Sequence, residues 1–337
     1  MILLADANLP VLPKAFPKGF DIVTYANSEE LKEQISMADV LLCRSTLSVD
    51  KPLLEGTHVR MVATASSGTN HIDTSYLRQN NIRLITAIGA NASAVCDWVL
   101  SVFAHIQPKL SGRCLGIIGY GHVGSQLQRR FSLLNYKVLT CDPLIHQPPN
   151  FVHIPLEKLS QCDAIFIHAN FHADSPFPSK NLIDQHFLAS LKSSCFIINA
   201  SRGGIVNEEE ILNTPFCHNY CTDVFENEPN INAKIVDTAF LCTPHIAGHT
   251  VEAKVNAVFQ VSREIHRVAK LPIPPMSASE NQLTIDLTQQ TWSHDLLNHY
   301  DPVNESILLK SAKDKSHAFL TLRKAHLRHG FDVFALD

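Results

Sequence analysis

Short apolar runs recur through the first ninety residues with polar stretches between them. ILLAD (2–6), DIVTY (21–25), VLLCR (40–44), VRMVATA (59–65) and IRLITA (82–87) read as strands. The segments Glu29–Ile35 and Asp73–Gln79 between them read as helices. Strands that alternate with helices predict a parallel sheet with helices on its faces. From Ala92 to Gln107 the period changes. Ala94, Val95, Trp98, Val99, Val102, Phe103 and Ile106 keep helical spacing up to Pro108, and this helix is expected to cross from one lobe to another. The alternation then resumes, with strands at 115–118, 137–141, 164–169 (AIFIHA), 195–200 (CFIINA), 220–224 (YCTDV) and 239–243 (AFLCT). A long amphipathic helix at Thr250–Val268 is expected to return the chain to the first lobe. The linker 271–282, rich in proline and serine, closes that body. Residues 283–337 open with the strand-like LTIDL and continue as helices near 303–313 and 315–329. So short a tail makes a marginal core alone, so it is expected to pack against a partner, most simply a second copy. The fold class is therefore α/β, with two doubly wound parallel-sheet lobes and a small C-terminal α+β dimerisation segment. The divisions fall at 1–91 with 244–270, at 92–243 and at 271–337.

The second lobe begins with the most informative stretch, CLGIIGYGHVGSQLQRRFSLLNYKVLTCD (114–142). An apolar strand breaks at Gly119-Tyr-Gly-His-Val-Gly124, a helix follows, and a second strand delivers Asp142, 18 residues beyond Gly124. This is the order of a dinucleotide-binding βαβ unit. Gly119 permits the tight turn, Gly121 admits a pyrophosphate, and Gly124 lets helix and strand approach. The helix N-terminus offers free N–H groups and a partial positive charge to the phosphates. Asp142 is placed to accept from the adenosine ribose and would repel a 2′-phosphate, which favours NAD over NADP.

Composition narrows the partners. The chain is 45% hydrophobic with a net charge of −4, and it has no basic block, so nothing asks for nucleic acid or an anionic membrane. No apolar run reaches the ~18 residues of a membrane span. The opening MILLADANLP lacks a basic leader and reads as a first strand, which points to the cytoplasm. Nine dispersed cysteines without a CxxC pair read as small buried hydrophobes, and a metal site is not expected.

Three further motifs carry chemistry. In NASRGGIVN (199–207) an apolar strand ends directly before Arg202, whose guanidinium can grip a carboxylate and polarise a neighbouring carbonyl. In TDVFENEP (222–229) Asp223 closes a strand and Glu228 sits in the loop, and in TPHIAGH (243–249) His245 follows the last strand. Each alone reads equally well as structural. Together they place a guanidinium, an acid and an imidazole on the sheet edge that carries the glycine turn. A dehydrogenase of 2-hydroxy acids needs such a set: a carboxylate anchor, a base for the hydroxyl proton, and an acid to orient the base.

With these residues in view, the chain resembles the D-isomer specific 2-hydroxyacid dehydrogenase superfamily over about residues 1–270. Within it the closest resemblance is to the erythronate-4-phosphate dehydrogenase branch. That closer match is carried by ADANLP (5–10), Arg44-Ser45, ATASSGTNHID (63–73), Gly89-Ala-Asn91, Cys141-Asp-Pro143 and TPHIAG (243–248). The resemblance implies a Rossmann-type nucleotide domain, a flavodoxin-like substrate domain and a homodimer formed through the tail. It implies NAD-dependent oxidation of 4-phospho-D-erythronate at C2 in vitamin B6 biosynthesis, with a 2-oxo acid as acceptor for cofactor reoxidation. Arg202, Glu228 and His245 would be catalytic. Gly119, Gly121, His122, Val123, Gly124, Asp142, Ala169, Asp223 and Gly248 match cofactor-binding positions. Ser45 and Ser66 match substrate-binding positions, and His249 stands where the family has a substrate-contacting tyrosine. Arg44 is either a counter-charge for the phosphate or a plain salt bridge. Ala169 replaces a threonine and Ser201 a cysteine, and the tail is short for the family. Two other readings stay open: a dehydrogenase of another D-2-hydroxy acid such as phosphoglycerate or glycerate, and a non-enzymatic NAD sensor on the same scaffold.

Overall fold

The computed structural model describes residues 1–145, 151–275 and 283–334, so residues 276–282 of the linker lie outside the described residues. The chain forms two compact units, Met1–Asn91 with Thr250–Asn281, and Ala92–His249 with Gln282–Asp337.

In unit 1 five parallel strands, β1 (Ile2–Asp6), β2 (Asp21–Tyr25), β3 (Val40–Cys43), β4 (Met61–Thr64) and β5 (Arg83–Thr86), lie in the order β2-β1-β3-β4-β5. This is the flavodoxin-like order, with its switch point between β1 and β3. Neighbouring strand residues feed opposite cores. Leu3, Ala5, Val40 and Leu42 join one cluster, while Leu4, Leu41 and Val62 join the other. In the inner strands β1, β3 and β4, burial on both faces explains why the runs are continuously apolar rather than alternating. The helix Val251–Val268 supplies Val258, Val261 and Ile265 to the first cluster.

Unit 2 contains β6 (Cys114–Ile118), β7 (Lys137–Cys141), β8 (Ala164–Ile167), β9 (Phe196–Asn199), β10 (Tyr220–Thr222) and β11 (Leu241–Cys242). They form one parallel sheet in the order β11-β10-β9-β8-β6-β7. The chain runs outward from β6 to β7, then returns across it to β8. The loop after β6 therefore sits at a switch point, where open α/β sheets bind ligands. The helix Ala92–Ile106 covers one face, and Phe103 meets Phe131 and Tyr136 edge-on at 4.9 and 5.2 Å.

Two features of the division differ from the sequence reading. The crossing into unit 1 comes at Thr250 rather than 244, because the loop after β11 is tied to unit 2 by hydrogen bonds to Asp223. Thr250 then caps the helix Val251–Val268 through the amide of Ala253, at 3.0 Å. The tail also belongs to unit 2. Its strands β12 (Leu283–Asp286) and β13 (Phe331–Phe334) pair in parallel, and helices span Trp292–His299, Val303–Ser311 and Lys315–Ala325. The first of these helices and β13 were not expected from sequence. One has too few apolar positions for a period, and the other pairs with a strand nearly fifty residues away. Ile285, Leu287, Trp292, Leu296, Tyr300 and Phe331 enter the core beneath the helix Ala92–Ile106, and Trp292 stacks on Phe103 at 6.2 Å.

Among the described residues no helix is long and apolar enough to cross a membrane. All nine cysteines are free, and eight are buried as apolar fillers.

Because Trp292 is a core residue of unit 2, Trp292→Ala is expected to destabilise that unit by about 3–5 kcal/mol, read by denaturant unfolding. An unchanged transition would mean that the tail folds apart from the nucleotide sheet.

Candidate active site

The three glycines of the turn after β6 have distinct physical duties. Gly119 has φ +95°, and a Cβ there would lie 2.6 Å from the backbone of His168 and Ala169 at the end of β8. A Cβ on Gly124 would lie 2.0 Å from the Gly119 carbonyl oxygen. Gly121 differs. It opens the helix His122–Leu133 without a side-chain cap, and a Cβ there would meet nothing within 4 Å. Uncapped amides beside open space fit a pyrophosphate. Asp142 follows β7 and faces this turn, one oxygen accepting from the Tyr120 amide at 2.7 Å and the other from Leu144 and Ile145. His122 is exposed and Val123 half-buried in the first helical turn. At the end of β8 the Ala169 carbonyl accepts from the Ser201 hydroxyl. The neighbouring His168 has both ring nitrogens buried without a partner, and burial lowers its pKa to about 3, so the ring is neutral.

The loops after β9, β10 and β11 meet on the same edge. Asn199 ends β9, donates to the Arg202 carbonyl and accepts from the Ser201 amide, which fixes the loop that carries Arg202. Gly203 lets that loop touch the next one: a Cβ there would lie 2.0 Å from the Phe225 carbonyl oxygen. After β10, one Glu228 oxygen accepts from the Phe225 amide at 2.9 Å, and the other lies 2.7 Å from His245 Nδ1. After β11, His245 has a left-handed backbone, φ +55°. Asp223, expected to contact cofactor, is fully buried and anchors this loop. Its carboxylate accepts from the Thr243 hydroxyl (2.6 Å) and from the amides of Ile246 (2.7 Å) and Ala247 (2.8 Å). Gly248 and His249 follow directly, half-buried, and the His249 amide donates to the Ile246 carbonyl at 2.8 Å.

Charge organises these loops. Burial pushes the Glu228 carboxyl up, but His245, the Phe225 amide and Arg323 together hold it below the usual glutamate range. An ionised Glu228 can only accept, so Nδ1 of His245 carries the hydrogen, and in the neutral ring the lone pair then lies on Nε2. Burial holds the Arg202 guanidinium below its ordinary value, with Glu228 opposing, and burial raises the Asp223 carboxyl. Glu208 is pushed up to about 7 by burial, opposed by the bond from the Glu226 amide and aided by the charges of Glu226 and Glu228.

The remaining predicted residues belong to unit 1. Arg44 and Ser45 follow β3, and Ser66 follows β4. Arg44 Nε donates to Asp6 at 2.8 Å, with the Arg44 side chain still 39% exposed. Burial raises the Asp6 carboxyl, but the bonds from Arg44 and Asn8 outweigh it and hold the group low. Ser45 is exposed. Ser66 lies 2.8 Å from the Thr64 hydroxyl and donates to the Gly68 carbonyl at 3.0 Å. Lys254 is held below its ordinary value by partial burial and by the like charge of Arg44.

The family model for the D-isomer specific 2-hydroxyacid dehydrogenase NAD binding domain matches residues 91–247. An erythronate-4-phosphate dehydrogenase from Legionella pneumophila is 44% identical over 99% of this chain and 96% of its own length. One from Pseudomonas putida is 33% identical over 97% of this chain and 92% of its own length. The chain belongs to the erythronate-4-phosphate dehydrogenase family. Unit 2 contains its NAD-binding domain, and the protein is an NAD-dependent oxidoreductase. In fold the chain is also similar to NAD+-bound 3-phosphoglycerate dehydrogenase from Entamoeba histolytica, with a TM-score of 0.66 at 22% identity over 83% of this chain and 99% of that one.

Several residues that shape these loops were not singled out from sequence. Asn199 and Gly203 lie inside a quoted motif, where a strand-end amide and a glycine directly after Arg202 were available as signals. Glu208 offered only the look of a helix-capping run. Arg323 offered none, since its place depends on how the tail folds back.

The glycines separate folding from binding. Gly121→Ala is expected to change stability by less than about 1 kcal/mol while weakening NADH binding roughly tenfold or more, because its Cβ enters only open space beside the uncapped helix amides, where the pyrophosphate is expected. Gly124→Ala is expected to disrupt unit 2 itself. Thermal melts with NADH fluorescence titrations check both, and equal damage from the two would refute the division of roles.

Proposed function

We propose that the protein oxidises 4-phospho-D-erythronate at C2 to the corresponding 2-oxo acid, as its family does in vitamin B6 biosynthesis. The observation that carries this reading is the His245–Glu228 pair at 2.7 Å, on a sheet edge shared with Arg202 and the glycine turn. NAD, when bound, supplies the hydride acceptor. Gly121 with the amides of His122 and Val123 would hold its pyrophosphate, and Asp142 its adenosine ribose. Arg202 binds the substrate carboxylate and draws electron density from the developing carbonyl. His245 Nε2 takes the hydroxyl proton, and Glu228 orients the ring and stabilises the imidazolium that results.

Within unit 1, the residues expected at the substrate suit an anion. Arg44 and Lys254 are cations close enough to disfavour one another, which an anion between them would relieve. Ser45 and Ser66 add hydroxyls, and His249 is a further candidate contact. A second copy of the chain is the proposed partner of the tail, where Ile307, Leu308, Leu320 and Leu327 are all more than half exposed.

Initial rates of NAD reduction with 4-phosphoerythronate, phosphoglycerate and D-lactate test the substrate, with a 2-oxo acid present to reoxidise bound cofactor. Turnover confined to phosphoglycerate or lactate would reject the erythronate assignment, and NAD binding without turnover on any of them would point to a sensor. His245→Ala and Arg202→Ala are each expected to lower kcat by about 10²–10⁴-fold while leaving NADH affinity intact. Parallel loss of NADH binding would instead mark them as structural. Leu308→Glu is expected to shift the mass seen by light scattering from dimer to monomer, and a parent protein already monomeric would refute the dimer.

A further inference from the structure

The tail reaches the site in cis. The helix Lys315–Ala325 starts at Asp314, which caps the His317 amide at 2.9 Å. It is docked by Phe319, fully buried and edge-on to Phe225 at 6.1 Å. Phe225 belongs to the loop whose amide holds Glu228. One helical turn further on, the Arg323 guanidinium sits over the Phe319 ring at 5.9 Å, and its Nη1 lies 4.0 Å from Glu228 Oε2. That oxygen is the one bonded to His245 Nδ1. A second tail arginine braces the other partner. Arg328, 7% exposed and stacked on Tyr300 at 4.4 Å, donates to the carbonyls of Ala94 and Ala247, the latter two residues beyond His245.

We infer that Arg323 is a positioning residue for the His245–Glu228 pair, so that the C-terminal tail completes the proton-transfer machinery of its own chain. This rests on the reading of His245 as the base. The charged groups that act on Glu228 are His245 from the sheet loops and Arg323 from the tail; Glu228 in turn acts on Arg202 and on Glu208, which accepts from the Glu226 amide. Arg323 favours the ionised, accepting form of Glu228, which the hydrogen on His245 Nδ1 requires. Its stacking on Phe319 limits the positions from which it acts.

The test uses the full chain with Arg323→Gln, Arg323→Met and Arg323→Lys. Glutamate labelled with 13C at its carboxyl carbon, with Glu228 assigned by Glu228→Gln, reports the Glu228 titration without any substrate. In both neutral variants the midpoint is expected to rise by about half a pH unit or more, and in Arg323→Lys to return toward the parent. The acid limb of kcat/KM is expected to move up with it. KM for NAD should stay unchanged, because the nucleotide turn is untouched. A midpoint that does not move in the neutral variants, or one that lysine fails to restore, overturns the inference even if the enzyme turns over. A shifted and restored midpoint in a protein inactive toward every 2-hydroxy acid leaves the inference standing and removes the proposed reaction instead.

Discussion

A carboxylate with no access to water holds the loop that presents His245. Asp223 accepts one hydroxyl and two amide hydrogen bonds from residues 243–247, and these define the path of the chain after β11. The path matters because His245 occupies a left-handed backbone conformation, which costs on the order of 1–3 kcal/mol for a residue other than glycine. Three hydrogen bonds that converge on one buried carboxyl group hold the loop in that conformation. The strained backbone then aims the imidazole at Glu228. Loss of this anchor would release both the loop and the ring, which is why the rest of the site depends on it.

Contact between the Arg202 and Glu228 loops depends on a missing side chain. Gly203 lies so close to Phe225 that any Cβ would overlap its carbonyl. The same device appears at Gly119 and Gly124 in the nucleotide turn, where backbone meets backbone. Gly121 is the exception, since its hydrogen faces open space. Two glycines of the motif thus let the fold close, and the third leaves the space beside the helix N-terminus open.

The tail shows how a short segment becomes stable by joining a larger core. Its strands and first helix bury Ile285, Trp292, Leu296 and Phe331 beneath the helix Ala92–Ile106, where Asp97 and Arg130 form a buried pair at 2.8 Å. The Phe331 amide bonds to that aspartate, and its ring lies beside the guanidinium. From this base the last helix carries Arg323 to Glu228 and the following turn carries Arg328 to Ala247.

Much of this protein was legible in the order of its residues. Local signals set the strands, since a run buried on both faces must be apolar throughout, and ILLAD and VLLC fall where the pattern put them. Strand, glycine turn, helix, strand and acid at fixed spacing identified the nucleotide unit, because every constraint there acts within thirty residues. Arg202, Glu228 and His245 were legible as strand-end residues of parallel neighbours. Tertiary structure alone decided that Asp223 turns inward to anchor a loop, that β13 pairs with β12, and that Arg323 meets Glu228 from 95 residues away. Those outcomes depend on burial and on contacts between distant segments, and no local period or spacing in the chain encodes them.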